Sequence, residues 1–283
     1  MKLGVFLIGG YDDPTAAVAV TRAVEAAGFE SLWVADHIVI PRSYASVYPY
    51  DRGGRLPQAE LPFPDPFVWL AYAAAQTTTL RLATGVLVLP QRQPLVVAKQ
   101  AATLDRLSGG RLILGVGAGW LAEEFAALDV PFAERGRRLD EYVTALRALW
   151  RNEAASFAGA FVRFEAVVAR PAPVRGAVPI VIGGHTEQAA RRAGRLGDGF
   201  YPGRGRPEEL ARLVEVLREA ARAAGRDPDA IELTAPLPRR PEAAQRLRES
   251  GFSRFLRPVP DVPLAELPEA LVRLREECLA LLG

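Results

Sequence analysis

The segment Val178–Gly194 reads VPIVIGGHTEQAARRAG, and three kinds of structure follow one another in it. Val178 to Ile182 is a short apolar run of the sort that forms a strand buried on both faces. Gly183 and Gly184 end it, a helix opens near His185 or Thr186, and Gly197 stands just past the last helical residue, Leu196. Strand, loop and helix in this order form half of a parallel crossover unit.

The same order repeats in both directions along the chain. Short apolar runs occur at Leu3 to Ile8, Ser31 to Ala35, Leu82 to Leu89, Leu112 to Val116, Pro179 to Ile182, Gly199 to Pro202, Ile231 to Ala235 and Ser253 to Arg257. Helical stretches are expected at Pro14 to Ala27, Asp65 to Thr77, Pro94 to Leu107, Glu134 to Trp150, Thr186 to Leu196, Pro207 to Ala224, Pro241 to Ser250 and Leu264 to Leu282. Proline in the first turn and glycine beyond the end (Gly28, Gly109, Gly197, Gly225, Gly251) punctuate several of them. Alternating strands and helices imply parallel pairing through right-handed crossovers, and eight units over 283 residues suit a closed (β/α)8 TIM barrel better than a doubly wound open sheet. The whole chain, 1–283, is read as one domain. Two segments exceed the repeat: a Pro-, Gly- and aromatic-rich loop, Ile38 to Pro64, after the second strand, and an extended excursion, Ala155 to Pro173, before the fifth, with a turn near Gly159. A loop that follows a barrel strand opens on the face where active sites lie, so the first is a candidate lid or substrate wall.

Composition narrows the function. Basic residues number 35 and acidic ones 33, a net charge of +2, so no field of one sign marks a nucleic-acid partner. The single Cys278 excludes an internal disulfide and suits a reducing compartment. Together with only two histidines, His37 and His185, it leaves no Cys-based or His-rich metal site. No apolar stretch approaches the roughly 20 residues needed to cross a bilayer. A cytoplasmic protein with no membrane or nucleic-acid partner is expected.

Five places carry residue types suited to chemistry. Asp36 and His37 follow the second strand; an imidazole there transfers protons near neutral pH, and the adjacent carboxylate could bias its charge or orientation. The bland alternative is a pair that bonds loop backbone. Thr84, Gly85 and Val86 lie where the third run nears the barrel mouth, and a glycine in a β-branched run marks a bulge or close backbone approach on which a flat ring could pack. The fourth run ends in GVGAGW, Gly115 to Trp120, whose glycines let a ligand lie on backbone, although a tight turn demanded by the barrel reads the same way. Gly183, Gly184, His185 and Thr186 combine bare glycine amides with a helix start, an anion site whose usual occupant is phosphate. Arg204 and Arg206, after the sixth strand, could meet an acidic tail leaving that phosphate or could simply be solvated.

The segments SLWVADHIVIP, ATGVLVLP, SGGRLILGVGAGW and VPIVIGGHTEQAARRAG, in this order, resemble the bacterial-luciferase-like oxidoreductases, above all their branch that uses the deazaflavin coenzyme F-420. Similarity runs from about Leu3 to Pro207. The resemblance implies a barrel with the flavin or deazaflavin ring across its C-terminal face, commonly as a homodimer. It implies that Asp36 and His37 form a rim pair beside ring and substrate. Gly85 and Val86 would form a bulge, often with a cis peptide, behind the ring. Gly117, Ala118, Gly119 and the neighbouring Trp120 would lie beneath the cofactor, and Gly183, Gly184 and His185 would form the phosphate loop. Members that act on sugar phosphate have an acidic general acid directly after the fourth-strand glycines; this chain has Trp120 there, which puts sugar-phosphate oxidation in doubt. Glu123 and Glu124, a few residues on, more naturally begin a short helical turn than reach the ring.

The implied activity is hydride transfer between coenzyme F-420 and a small organic substrate, with His37 handling the accompanying proton. An aromatic wall from Tyr44, Tyr48, Tyr50 and Phe63 leans toward a hydrophobic substrate. The nearest rival is an FMN-dependent monooxygenase served by a separate reductase. A rival of another class is a non-catalytic barrel whose mouth is plugged by Trp120 or the long loop. All of this requires Gly183 and Gly184, Val86 and His37 to be neighbours around one face.

Overall fold

A computed structural model of the chain describes residues 1–51, 53–56, 62–151 and 153–283. Each apolar run becomes a strand: β1 (Lys2–Leu7), β2 (Ser31–Val34), β3 (Arg81–Thr84), β4 (Leu112–Gly117), β5 (Ile180–Gly183), β6 (Gly199–Tyr201), β7 (Glu232–Pro236) and β8 (Phe252–Pro258). All neighbours pair in parallel in the order β3-β2-β1-β8-β7-β6-β5-β4, and Leu82 and Ala83 of β3 pair with Leu112 and Ile113 of β4 to close the barrel. Around it run α1 (Pro14–Ala26), α2 (Pro66–Ala74), α3 (Pro94–Leu107), α4 (Arg135–Arg151), α5 (Glu187–Leu196), α6 (Pro207–Ala223), α7 (Pro241–Glu249) and α8 (Leu267–Leu282). Asp13 and Asp65 cap α1 and α2 by accepting two amides each, which fixes where those helices start just inside the prolines.

Two expectations need correction. The third run is not one strand: β3 stops at Thr84, the Gly85–Val86 peptide is cis, and a two-residue strand, Leu87–Val88, resumes beside Val116 and Gly117. Gly28, Gly109, Gly225 and Gly251 do end helices with positive φ, but Gly197 is extended at φ −86°. Packing explains its glycine instead, since a Cβ there would lie 2.8 Å from the Gly199 carbonyl oxygen and 3.0 Å from Ile182 Cγ1.

The excursion before β5 is an antiparallel hairpin, Ala155–Ala158 with Arg163–Val167, tied to α4 by the Glu141 carboxylate, which accepts the amides of Ala160, Phe161 and Val162 at 2.8 Å each. Inside the barrel, Trp33, Ala83, Ile113, Val181 and Leu256 form a separate apolar cluster touched by Phe6 and Tyr201. Below it the N-terminal mouth is sealed by charge. Arg254, fully buried under the Trp33 ring, donates to Glu30 at 2.9 and 3.0 Å and to Glu232, which Lys2 also reaches. Among the described residues no helix is long and apolar enough to cross a membrane.

Candidate active site

The opposite mouth is assembled from the ends of β2 to β6. Successive residues leaving β2 point in opposite directions, which separates Asp36 from His37. The Asp36 carboxylate turns inward and accepts the Val88 amide at 2.9 Å and Arg92 Nη2 at 2.7 Å, while Arg92 also donates to Asp65 at 2.9 Å. Burial pushes the Asp36 carboxyl up and Arg92 pulls it back. Asp36 therefore braces the segment that follows the cis peptide and does not orient His37.

The partner of His37 is Glu124, in the short helix Ala122–Ala127. Glu124 Oε2 lies 3.0 Å from His37 Nδ1, and Oε1 accepts the amides of Ile38 and Val39 at 2.7 and 3.2 Å. The carboxyl is 1% exposed; burial opposes its charge, yet the bonds from His37 and Ile38 outweigh burial and hold it below the ordinary carboxylate range. Sequence reading missed this pair because Glu124 looks like an ordinary first-turn acid. Its neighbour Glu123 accepts the amides of Ala45 and Ser46 at 2.6 and 3.1 Å, and hydrogen bonding by Ser46 and Ala45 holds its carboxyl down at about 2. Two adjacent carboxylates thus clasp the start of the long loop.

Around the cis peptide, side-chain-free positions gather. The Val86 side chain lies over two glycines at once: a Cβ at Gly117 would stand 2.6 Å from Val86 Cγ2, and one at Gly183 would stand 2.7 Å from Cγ1. Gly85, whose amide donates to the Val34 carbonyl at 2.6 Å, packs against Phe6 and Trp33. Thr84 is buried and donates to the Gly115 carbonyl at 2.6 Å, so it serves the framework and offers no free hydroxyl. Gly119, at φ +86°, fits under Phe125 and Val88, where a side chain would clash; Ala118 rests half-buried on the core.

At the α5 terminus the amide of Gly184 is not bare, because it donates to the Tyr201 carbonyl at 3.1 Å. Thr186 caps the helix by accepting the Ala189 amide at 3.2 Å. The amides of Glu187 and Gln188, in the open first turn, have no partner among the described residues. His185 Nδ1 is sealed from solvent without a hydrogen bond, and burial, then the charge of Arg204, push this imidazole below its ordinary range. Arg204 itself donates to the Pro49 carbonyl of the long loop, and Arg206 is engaged by Glu209 at 2.9 Å.

A chain of aromatic rings spans the mouth between these groups. Phe63 meets His37 edge-on at 5.4 Å, His37 meets Trp120 at 5.9 Å, Trp120 meets Tyr48 at 5.1 Å, Tyr48 meets Tyr50 at 5.5 Å, and Tyr50 meets His185 at 5.5 Å. Tyr44 also leans on Trp120 at 5.7 Å, and burial pushes the Tyr48 hydroxyl up to about 12. His37, Val86 with Gly183, and His185 therefore belong to one face, which the long loop covers. Residues 52 and 57–61 of that loop lie outside the described residues. A groove of about 620 Å³ runs outside the barrel between α5 and α6, where Arg191, Arg192 and Arg195 are already paired with Glu187 and Asp140. Among the described residues no group of three or more His, Cys, Asp or Glu is placed to hold a metal ion.

A parallel barrel with a cis peptide after its third strand and a glycine shelf at its mouth defines a class, and comparison with known proteins agrees. The sequence profile of the luciferase-like monooxygenase family matches residues 1–261, and the chain belongs to that family. An uncharacterized protein of Mycobacterium tuberculosis is 39% identical over 215 residues, 76% of this chain and 74% of that one. The F-420-dependent glucose-6-phosphate dehydrogenase of Mycolicibacterium gilvum is 33% identical over 239 residues, 82% of this chain and 66% of that one. Among solved structures, the monooxygenase RslO1 from Streptomyces bottropensis superposes with a TM-score of 0.76 at 24% identity over 99% of both chains. An F-420-dependent secondary alcohol dehydrogenase in complex with an F-420–acetone adduct superposes with a TM-score of 0.78 at 19% identity over 98% of both. At these identities the superpositions speak for the fold alone.

Proposed function

We propose that the protein is a deazaflavin-dependent oxidoreductase that moves a hydride between coenzyme F-420 and a small hydrophobic organic substrate. The observation that carries this reading is the convergence, on one barrel face, of the Val86–Gly117–Gly183 shelf, the open first turn of α5 and the His37–Glu124 pair. The relatives named above as F-420-dependent support the choice of cofactor.

The residues fit such a group. Val86, half-buried and seated on the two glycines, offers an apolar support for a planar ring, and the uncommitted amides of Glu187 and Gln188, with the orphaned His185 Nδ1, suit a phosphate. When bound, the deazaflavin supplies the hydride chemistry. His37 takes up or releases the proton at the substrate oxygen. The aromatic rings that cover the mouth keep water from the reacting atoms. Trp120, in place of an acid, makes the substrate pocket apolar and argues against a sugar phosphate. Exposed apolar side chains on α2 and α3, Val68, Tyr72, Val96 and Leu107, support pairing with a second copy.

The covered mouth favours one other reading, a non-catalytic barrel. Equilibrium titration with coenzyme F-420 and with FMN separates the possibilities. Preferential binding of F-420 is expected; tighter binding of FMN overturns the cofactor choice in favour of a reductase-fed monooxygenase, and binding of neither overturns the enzyme reading.

A further inference from the structure

The geometry around His37 goes further than placing an imidazole at the mouth. Glu124 offers two oxygens with different duties: Oε1 is held by the amides of Ile38 and Val39, and Oε2 faces His37 Nδ1. An ionised carboxylate only accepts hydrogen bonds, so the imidazole nitrogen facing it must carry the proton. Asp36 does not compete, because Arg92 and the Val88 amide occupy its oxygens. Phe63 and Trp120 stand edge-on to the imidazole, at 88° and 86°, and oppose a ring flip that would turn a C–H toward Glu124. On the far side of the ring, Nε2 has no hydrogen-bond partner among the described residues and, unlike His185 Nδ1, is not sealed from solvent.

We propose that Glu124 is a positioning residue that holds His37 with its proton on Nδ1, leaving Nε2 as the single atom that exchanges protons with substrate. The role in turnover rests on the oxidoreductase reading; the tautomer does not. In the oxidative direction an alcohol O–H bond breaks and its proton goes to the Nε2 lone pair. The C–H bond breaks with both its electrons leaving as hydride to the bound deazaflavin, and the oxygen's electron pair forms the carbonyl. In reverse, Nε2 of the imidazolium returns the proton to oxygen. Had the proton been on Nε2, the same ring would present a donor to an alcohol and could accept nothing from it.

The test uses the fact that the protein has only two histidines, so its imidazole nitrogens can be resolved by long-range proton–nitrogen NMR and assigned with a His37→Gln variant. In the wild-type protein the neutral His37 ring is expected to read as protonated on Nδ1 and unprotonated on Nε2. Glu124→Gln should invert this. Its carbonyl must stay on the Ile38 and Val39 amides, because an NH2 group cannot accept them, and the NH2 then forces Nδ1 to become the acceptor. Glu123→Ala, which removes the loop clasp but leaves the pair intact, should not change the tautomer. In the cofactor-loaded enzyme, Glu124→Gln should lower kcat about 100-fold, with cofactor affinity and KM changed less than about threefold.

A wild-type tautomer with the proton on Nε2 overturns the proposal even if the Gln variant fails to fold. So does a Glu124→Gln protein that keeps the proton on Nδ1, or one that inverts the tautomer with kcat unchanged. If the tautomers behave as expected but the wild type neither binds nor turns over with deazaflavin, the function fails and the positioning stands.

Discussion

The two mouths of the barrel solve opposite problems. At the N-terminal end one buried guanidinium, Arg254, is matched by the carboxylates of Glu30 and Glu232, with Lys2 outside them. At the C-terminal end polar atoms are left over: His185 Nδ1 has no partner, the first amides of α5 are open, and rings replace ion pairs as the cover. Matched charges make a floor whose ionic groups have nothing left to offer a ligand, although the Thr234 hydroxyl beside Arg254 stays unpaired; open amides under an aromatic cover make a place for one. Direction along parallel strands, which puts every strand-to-helix loop at the same end, is what concentrates the second kind at one mouth.

That contrast breaks most visibly at the floor. Arg254→Leu should cost about 2 to 4 kcal/mol of stability in urea unfolding near neutral pH, because two partly buried carboxylates lose their shared buried guanidinium and keep only Arg81, 3.9 Å from Glu30, and Lys2 on Glu232. A cost below about 1 kcal/mol would mean that the floor is solvated and that the two ends do not differ. At the other mouth the shelf comes next. Gly183→Ala drives a methyl group to 2.7 Å from Val86 and should cost about 1 to 3 kcal/mol by the same measurement. Adding Val86→Ala should recover at least half of that loss, and additive losses would show that Val86 does not rest on Gly183. The smallest effect concerns the loop clasp. The folded Glu123 carboxyl titrates at about 2, below the ordinary 4.5, so its contribution is complete above pH 4.5 and fades as pH falls toward 2. Protection of the Ala45 and Ser46 amides, measured against their intrinsic exchange rates, should therefore fall across that interval in the wild type and be lost at all pH in Glu123→Ala. Protection in the wild type that ignores acid would remove the clasp.

The barrel was legible because strands covered on both faces must be apolar throughout, and because prolines and glycines mark the helix ends. The glycines are legible as points of close approach, but what approaches Gly117 and Gly183 is the Val86 side chain, which the sequence does not reveal. What sequence order hid was pairing. Asp36 adjoins His37 in the chain and so looked like its partner, whereas strand geometry turns neighbours apart and the true partner lies 87 positions away. Thr84 offered a hydroxyl on paper, but its acceptor, the Gly115 carbonyl, belongs to the next strand. Gly184 reads as a free amide in the sequence because nothing local reveals that the Tyr201 carbonyl accepts from it. The break after β3 was likewise invisible in a run of β-branched residues, although the family resemblance anticipated its cis peptide.

Of the four tryptophans, Trp33, Trp69 and Trp150 are at most 6% exposed, and Trp120 alone stands among the rings of the mouth. The molecule thus carries its own optical gauge. Acrylamide should reach the partly exposed Trp120 more readily than the three buried indoles, so quenching of the native emission should follow how closely Tyr44 and Tyr48 lie over it, with no dye attached and no residue replaced.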